Sequence, residues 1–572
     1  MFSRSLTTFT LVSLLILAGV LVSGCAPPGP PPETAAGQAP AEEQAPPQES
    51  SITILIPDNP VAFNGVNTDT GYEQALGELV MLSLAEVDPD GNVYPELAAE
   101  IPTIENGGVV VDEENGTMDV TWKLRNDVYW ADGEQVTADD VVFTWNVIAE
   151  QAWTPAVDYT DSVEKIDDFT FVVHYNAVFP GYLLHFGGED FFVYPEHYCD
   201  ASQGFYEWDC DNQPLSDGPY ILEEWVADDH LTFVRNPNYY EAGKPAIDKI
   251  LVRIVPEESV RKAMMLEGDA DIHYWPAENS AVEYQSPDNN VDLLVSPSGR
   301  WVMRLIPNLT AYGDRESPHP LLSDVRVRRA IRMAVDVDTI IRDVFMGFGE
   351  PVWTEFFRPP YVCEVPRPKY DLEAAAALLE EAGWIDTDGD GVRECHGCQN
   401  AEEGTLASLQ FAIYAEYGET LELAQQLIAE NLNNIGIATE LQTIEGAIMW
   451  APAEDGGTEE SGNFDLDMWD DGYPGIDPTD FIWTFYFSES QWNYGRYASE
   501  EMDALIGELY TLDEDYRRET FCQIADKLEE DLPQILLWSA LEMHGVSNRL
   551  GGVQPSVNDP LTWNVADWTL GE

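Results

Sequence analysis

The amino-acid sequence predicts an α/β fold, from one strand-helix-strand unit and from the size of the chain. Leu409–Tyr414 and Ile437–Thr443 have the composition of strands, and Leu421–Ile435 between them has apolar residues at helical spacing. Such a β-α-β unit places its two strands parallel in one sheet, and parallel sheets bind ligands at the carboxyl ends of their strands. With 572 residues, 44% of them hydrophobic, the chain is long enough for roughly three to four domain-sized units.

The first fifty residues predict export and attachment to a membrane. Leu11–Val22 is an apolar run of about the length of the hydrophobic region of a secretory signal, shorter than the ~20 residues of a bilayer span. It ends in LVSGC, which resembles the bacterial lipobox, so Cys25 is the predicted lipidation site; a free cysteine behind an ordinary signal is the alternative. We therefore assign 1–24 to a signal peptide and 25–50 to the lipidated cysteine and a Pro/Ala/Glu-rich tether.

Strands and one helix are predicted in the first half of the body. Met118, Val120, Trp122 and Leu124 alternate with polar residues, which is typical of a strand with one buried face. Thr137 is a predicted N-cap, because acidic residues and then apolar residues at helical spacing follow it. Further strands are predicted at Thr170–Tyr175, Leu231–Arg235 and Ile250–Val255.

Beyond residue 300 helices and strands alternate. Asp324, Asp336 and Asp371 each precede an apolar periodic segment and are predicted N-caps, and Gly383 is a predicted C-cap. In the helix 421–435, the residues predicted to face the core are Leu423, Leu427, Leu432 and Ile435.

The charge of the chain excludes one class of partner. It carries 104 acidic and 27 basic residues, a formal net charge of −77, so phosphate backbones repel it and nucleic acid is excluded. The surplus carboxylates fit a solvated acidic surface suited to salty surroundings. The alternative is a focused acidic cleft that attracts cations, and the sequence leaves both open.

Six cysteines follow Cys25, an even number that favours disulfides in an exported protein. Cys199 and Cys210 are the favoured local pair. Cys395 and Cys398 have the two-residue spacing of redox or metal motifs, but the histidine that haem attachment requires after the second cysteine is absent. We therefore predict a tight structural disulfide between Cys395 and Cys398.

An aspartate-rich segment matches the first half of a calcium loop. Asp386, Asp388 and Asp390 alternate with Thr387 and Gly389, as oxygens that converge on a hard cation do. Position twelve of that loop is glycine rather than glutamate, so Glu394 or a backbone carbonyl would have to complete the site. Bound Ca²⁺ and a hydrated turn both remain open.

Catalytic motifs are absent from the sequence. It contains no nucleophile elbow, no phosphate-cradling glycine loop followed by Lys-Ser/Thr and no His-Glu-x-x-His helix. Paired carboxylates for glycoside hydrolysis carry no signal in a chain with 104 acidic residues. We assign no catalytic residue and expect that the protein is not an enzyme.

Five segments together resemble family 5 of the extracellular solute-binding proteins, the peptide- and nickel-binding components of ABC importers. They are spread over most of the predicted body and occur in the order that the family has. The segments are DGEQVTADDVVFTW at 132–145, the GPYIL to NPNYY stretch at 218–240, LEGDADI at 266–272, PLLSDVRVRRAIRMAVDVDTII at 320–341 and YDLEAAAALLEEAGW at 370–384.

The resemblance implies a two-lobed periplasmic-binding-protein clamshell of class II type with an extra N-terminal subdomain. Such a protein binds a solute between its lobes and closes by hinge motion. We expect a monomer whose lobes are discontinuous in the chain. Lobe I is assigned to 51–92, 214–298 and 538–572, the extra subdomain to 93–213 and lobe II to 299–537.

The predicted ligand site follows the strand Phe464–Trp469. In peptide-binding members of the family, the loop after such a tryptophan carries an aspartate that pairs with the ligand's α-amino group; here Gly472 stands in its place. We predict Trp469 as an apolar wall, Asp470 and Asp471 as partners of the amine, and Tyr473 as a wall or hydrogen-bond donor. The alternative is that both aspartates only cap the turn.

The function that the resemblance implies is capture of di- or oligopeptides outside the cytoplasm and their delivery to an ABC permease. The lipid anchor would hold the protein at the membrane, in the periplasm or at the cell surface. A metal chelate or an oligosaccharide is the alternative ligand in the same fold, and an exported hydrolase is the alternative from another class.

Overall fold

Alternation of apolar and polar residues produces the strand predicted at Met118. In the computed structural model, the strand Thr117–Lys123 buries Met118, Val120 and Trp122. The structure describes residues 49–63, 71–151, 155–187, 191–203, 208–473 and 476–571. The predicted signal peptide, Cys25 and the tether up to residue 48 lie outside the described residues. The described residues from Glu49 onward form one compact unit.

The strands are short and distributed along the whole unit. In chain order, they are β1 Ser51–Ile56, β2 Ala85–Val87, β3 Val93–Pro95, β4 Val109–Asp112, β5 Thr117–Lys123, β6 Thr160–Asp167, β7 Thr170–Tyr175, β8 Tyr220–Val226, β9 His230–Arg235, β10 Lys249–Ile254, β11 Ile272–Tyr274, β12 Val291–Val295, β13 Val302–Pro307, β14 Thr310–Ala311, β15 Asp314–Pro318, β16 Gly349–Pro351, β17 Phe357–Arg358, β18 Tyr361–Val362, β19 Trp384–Ile385, β20 Glu394–Cys395, β21 Ser408–Tyr414, β22 Ala438–Ile444, β23 Leu466–Asp471, β24 Ile535–Ala540, β25 Met543–Ser547, β26 Leu550–Gly551 and β27 Thr569–Leu570.

The longest helices lie in the second half of the chain. In chain order, the α-helices are α1 Tyr72–Val80, α2 Ala138–Gln151, α3 Pro155–Tyr159, α4 Asp209–Asn212, α5 Glu258–Glu267, α6 Glu278–Tyr284, α7 Val325–Ala334, α8 Val337–Asp343, α9 Leu372–Glu381, α10 Gly418–Asn434, α11 Gly446–Met449, α12 Thr458–Ser461, α13 Thr479–Tyr486, α14 Glu500–Glu508 and α15 Glu514–Asp531.

Two large mixed sheets form the two lobes. The lobe I sheet has seven strands in the order β12-β25-β11-β1-β10-β9-β8, with β1 parallel to both β10 and β11. The lobe II sheet has six strands in the order β16-β24-β13-β23-β21-β22, with β21 parallel to both β22 and β23. The parallel pair β21 and β22 confirms the predicted β-α-β unit, and the lobe I sheet contains parallel strands as well.

The chain passes between the two sheets at one end of each. It leaves β12 at Val295 and enters β13 at Val302, and it returns from Ala540 of β24 to Met543 of β25. Because β12 runs parallel to β11, and β24 runs parallel to β23, these crossings join the edges at which the parallel strands of both sheets end. The carboxyl ends of both sets of parallel strands therefore lie at the crossings.

The two crossing segments are held to each other by hydrogen bonds. The Ser296 amide donates to the Glu542 carbonyl at 2.9 Å, and the Ser539 hydroxyl donates to the Trp301 carbonyl at 2.6 Å. Gly299 lies so close to this pair that an added Cβ atom would be 2.6 Å from the Ala540 carbonyl oxygen, which explains why glycine is needed there.

A four-stranded antiparallel sheet in the order β4-β5-β7-β6 lies within the segment predicted as the extra subdomain. Its buried residues, such as Trp122 and Phe171, belong to the same apolar cluster as Ile52 and Leu231 of the lobe I sheet. The extra subdomain therefore shares one core with lobe I rather than having its own.

Local caps form as predicted. The side chains of Asp324, Asp336 and Asp371 each accept a hydrogen bond from a backbone amide in the first turn of the helix that follows. Gly383 lies just after α9 with a φ of +96°, which glycine adopts easily.

Some predicted boundaries and orientations differ from the structure. Leu423 is exposed, because α10 turns Leu421, Ala424 and Ile428 toward the sheet. The strand predicted to end at residue 469 continues to Asp471, because Asp471 pairs with Val302 of β13. The return to lobe I begins after Ala540 rather than at 538, because β24 pairs with β16 as far as that residue.

Disulfides join Cys199 to Cys210 and Cys395 to Cys398, the pairs that the sequence favoured. A third joins Cys363 to Cys522, which are 159 residues apart and which nothing in the local sequence connects. No helix within the described residues is both long enough and apolar enough to span a membrane.

Candidate functional site at the carboxyl edge of lobe II

Aromatic residues and two aspartates meet where the parallel strands of lobe II end. β21 ends at Tyr414, β22 ends at Ile444, and β23 ends with Trp469, Asp470 and Asp471. This edge also carries the crossings to lobe I. The structure therefore places three of the four predicted ligand residues at the position where a parallel sheet binds ligands.

Trp469 is buried in the aromatic layer of this edge. Its ring lies 5.3 Å from that of Trp450 and 5.9 Å from that of Phe485, and its indole nitrogen donates to Glu459 Oε1 at 3.0 Å. Trp450, which follows β22 through α11, is 40% exposed and also contacts Tyr494 at 5.9 Å. Trp450 rather than Trp469 therefore presents the larger apolar surface, and the sequence reasoning missed it.

Asp470 and Asp471 are half-buried and each is already oriented. The Tyr417 hydroxyl donates to Asp470 Oδ1, and the Asp470 amide donates to the Tyr417 oxygen at 3.0 Å. The Gly472 amide donates to Asp471 Oδ1 at 2.7 Å. The structure shows no ion pair between a lysine or arginine and either carboxylate among the residues it describes, so each keeps capacity for a cationic partner.

The environment of the two aspartates disfavours their charge. Burial raises the pKa of Asp471 to about 7, against the opposing field of Arg304 and the bond from Gly472. Burial also raises the pKa of Asp470, against the hydrogen bond from Tyr417. A ligand cation would restore the charged form of both groups, because an opposite charge favours ionisation.

Arg304 supports this edge from inside lobe II. It is fully buried on β13, and its guanidinium donates to Glu355 Oε1 at 2.7 Å, to the Gln534 side chain at 3.1 Å and to the Asp471 carbonyl at 2.9 Å. The Tyr486 hydroxyl also donates to Glu355. An arginine within the apolar strand VMRLIP was the sequence signal for such a network.

Tyr473 is turned into lobe II and is only 6% exposed. Its carbonyl accepts a hydrogen bond from Arg358, whose guanidinium lies 4.2 Å from the centre of the tyrosine ring. Burial raises the pKa of the Tyr473 hydroxyl, so it stays protonated. The side chain therefore offers little surface to a ligand, in contrast to the wall or donor role that the sequence predicted.

Two buried acids lie beneath Trp469. Glu459 of α12 and Asp467 of β23 are fully buried and interact with each other, and Glu459 accepts the indole bond of Trp469. Burial raises the pKa of Glu459 to about 7 and raises that of Asp467 well above its usual range. The pair therefore retains at least one proton near neutral pH, because two adjacent buried negative charges are costly.

The predicted calcium loop has a different geometry from the ligand edge. Carboxylate oxygens of Asp386, Asp388 and Glu394 lie within 4.8 Å of one another, whereas Asp390 is not part of the group. Both Asp386 oxygens already accept backbone bonds, from Gly389 at 2.7 Å and Gly391 at 3.1 Å. The residues form an exposed acidic turn, and a role in binding calcium stays a prediction.

Comparison with known proteins relates these features to a family. Residues 92–493 match the model of the bacterial extracellular solute-binding proteins, family 5 Middle. The oligopeptide-binding protein AppA of Bacillus subtilis is 23% identical over the full length of both chains. The periplasmic oligopeptide-binding protein OppA of Salmonella typhimurium is 24% identical over 83% of this chain and 87% of its own.

Solved structures share the two-lobed fold. AppA of Bacillus subtilis in complex with a nonapeptide superimposes with a TM-score of 0.70 at 21% identity, over 92% of this chain and all of that one. NikA of Brucella suis in complex with Fe(III)-EDTA superimposes with a TM-score of 0.75 at 20% identity, over 91% of this chain and all of that one. Because the family model spans well over half of its length, the chain belongs to family 5 of the bacterial extracellular solute-binding proteins.

Proposed function

We propose that the protein captures peptides outside the cytoplasm and delivers them to an ABC permease, held at the membrane by a lipid on Cys25. The observation that carries the peptide assignment is the pair Asp470 and Asp471, half-buried, oriented and without a cationic partner among the described residues. A peptide supplies the missing cation as its α-ammonium group. The relatives AppA and OppA are oligopeptide-binding proteins, and the structurally similar DppA of Helicobacter pylori, solved in complex with a peptide, is ABC transporter-associated.

The charge at this edge favours an ammonium over an anionic ligand. A buried carboxylate and an ammonium compensate each other's loss of hydration, whereas two negative charges repel. A chelate such as Fe(III)-EDTA is itself anionic and would meet Asp470 and Asp471 unfavourably. The exposed face of Trp450 can pack against the first side chain of a peptide, because apolar contact does not depend on sequence.

Binding and closure are coupled through the crossings. A ligand on the lobe II edge also reaches the facing edge of lobe I, so it stabilises whichever arrangement of the lobes lets it contact both. In this proposal the ligand is bound and released unchanged, because the described residues of the site provide recognition groups rather than an activated nucleophile. In this proposal the permease recognises the closed protein.

The test uses two peptide pools that differ only at the amine. Purified protein, first unfolded and refolded to remove any bound molecule, is mixed with random pentapeptides that have either a free or an acetylated N-terminus. Peptides retained after gel filtration are identified by mass spectrometry, and Fe(III)-EDTA is tested in parallel. Retention of free-amine peptides supports the proposal. Retention of Fe(III)-EDTA alone, or equal retention of both pools, would contradict it.

A further inference from the structure

One buried arginine connects the two lobes next to the candidate site. Arg358 belongs to lobe II, where β17 pairs with β18 and the Cys363–Cys522 disulfide follows. It is 3% exposed, and its guanidinium donates to the Val557 carbonyl at 3.1 Å and to the Tyr473 carbonyl. Val557 lies in the C-terminal segment of lobe I, and Tyr473 lies two residues after the end of β23.

The acceptor in lobe I is fixed by its neighbours. The Asn558 side chain donates to the Asp88 carbonyl at 2.9 Å, and the Thr562 hydroxyl donates to the Ala75 carbonyl of α1 at 2.7 Å. The segment that carries Val557 therefore moves with lobe I. A change in the distance between the lobes must lengthen the bond between Arg358 and Val557 or move Arg358 itself.

Arg358 also binds Tyr473, next to the candidate site. Its guanidinium lies 4.2 Å from the centre of the Tyr473 ring, and this cation–π contact adds to the hydrogen bond that the guanidinium donates to the Tyr473 carbonyl. Tyr473 is two residues from Asp471. Arg358 therefore helps to fix the position of the chain just after Asp471.

Arg358 has no carboxylate partner within 4 Å in the described part of the chain. A buried guanidinium without an ion pair is costly unless its donors are satisfied. Here the Val557 carbonyl of lobe I accepts one of the guanidinium's hydrogen bonds. When the lobes separate, that donor must bond to water or to another acceptor instead.

The lobes also touch elsewhere, where the Tyr159 and Tyr510 hydroxyls are hydrogen-bonded and their rings lie 5.3 Å apart.

We propose that Arg358 is a positioning residue that couples closure of the lobes to the conformation of the ligand edge. It touches no ligand and acts through Tyr473. In the closed arrangement it holds Tyr473 in place, and in the open arrangement it releases Tyr473. The inference rests on the proposed binding edge, but its conformational part does not depend on the identity of the ligand.

A matched arginine separates this role from general stability. Arg328 is also buried, at 5% exposure, and donates to the carbonyls of Leu322, Asp531 and Leu532, which all lie in lobe II. Arg328→Lys and Arg358→Lys both keep the charge and lose the forked geometry. Only the second removes a bond between the lobes.

The experiment measures lobe separation by solution scattering and affinity by calorimetry with the free-amine pentapeptide pool. Arg358→Lys is expected to lower the closed-to-open ratio of the ligand-free protein and the affinity by about ten- to a hundredfold, because buried carbonyls lose a donor. Arg328→Lys is expected to lower the melting temperature without changing the closed-to-open ratio or the affinity. Asn558→Ala loosens the segment of lobe I that carries the Val557 carbonyl. It is expected to lower the closed-to-open ratio and the affinity, by less than Arg358→Lys does.

Equal effects of Arg328→Lys and Arg358→Lys on affinity would overturn the inference, as would unchanged scattering and unchanged affinity in Arg358→Lys. If no peptide binds to the wild-type protein, the proposed function fails, and the scattering of the ligand-free variants still decides the role of Arg358.

Discussion

Two aspartate-rich regions of lobe II look alike in the sequence and differ in the structure. Asp470 and Asp471 end a central strand beside buried aromatic rings, and burial raises the pKa of both. Asp386 and Asp388 lie in an exposed turn whose backbone amides already bind Asp386. In a chain with 104 acidic residues, the density of carboxylates therefore identifies no site. A site is identified instead by the position of its carboxylates at a strand end and by their loss of hydration.

The largest expected effect comes from removing both the aromatic support and the carboxylate of the ligand edge. Trp469→Ala with Asp471→Ala is expected to abolish peptide binding, because the ring that supports Trp450 and one partner of the amine are lost together. The buried tryptophan also contributes stability, so unfolding is expected to become easier by about 3–5 kcal/mol. Calorimetry and thermal melting measure both, and wild-type affinity in a folded double variant would place the site elsewhere.

Replacing two aspartates by asparagine, either at the ligand edge or in the exposed turn, separates the roles of the two regions. Asp470→Asn with Asp471→Asn is expected to lower peptide affinity about a hundredfold, because a buried ammonium loses its charged partners. The matched control, Asp386→Asn with Asp388→Asn, removes as many charges from the exposed turn and is expected to leave affinity unchanged. Equal losses in both variants would show that net charge, rather than the strand end, attracts the ligand.

The pH dependence of binding reports the state of Asp471. Its pKa in the free protein is about 7, and an ammonium ligand favours the ionised form, so ligand binding releases a proton when the pH is below 7. Affinity is therefore expected to fall with decreasing pH, by up to about tenfold per unit for one linked proton. Calorimetry between pH 5 and 7.5 measures the slope, which should be smaller in Asp471→Asn.

The smallest expected effect concerns stability beneath the site. Glu459 and Asp467 have folded pKa values above their unfolded ones, so the fold binds the proton more tightly and loses stability as the pH rises from about 4 through 7. Asp467→Asn removes one of these titrations. We expect its melting temperature to exceed that of the wild type by a few degrees at pH 8 and by less at pH 5. A larger gain at pH 5 would contradict the shared proton.

What the sequence could predict depended on local interactions. The sequence predicts the N-caps Asp324, Asp336 and Asp371, because each acts within the first turn of its own helix. It also predicts the β-α-β unit, because that unit follows from the spacing of apolar residues. The extent of β23 was not, because Asp470 and Asp471 become strand only through pairing with β13. Arg358 could not be found either, because both of its acceptors are distant in the chain.

At the candidate site, too, the sequence predicted some residues correctly and missed others. Residue types and the resemblance to the family directed attention to Trp469, Asp470 and Asp471, and the structure places them at the carboxyl edge. Tyr473 was expected beside the ligand and turns inward instead, because Arg358 binds its carbonyl and its ring. Trp450 was missed, since only the assembled sheet brings the chain after β22 beside Trp469.

The central claim is that the two lobes close around a peptide held at the edges where their parallel strands end. Small-angle scattering of the protein, cleared of bound molecules, with and without the free-amine pentapeptide pool tests it most directly. We predict a smaller radius of gyration with the free-amine pool and an unchanged one with the acetylated pool. A radius that stays the same while free-amine peptides are demonstrably bound would contradict the account.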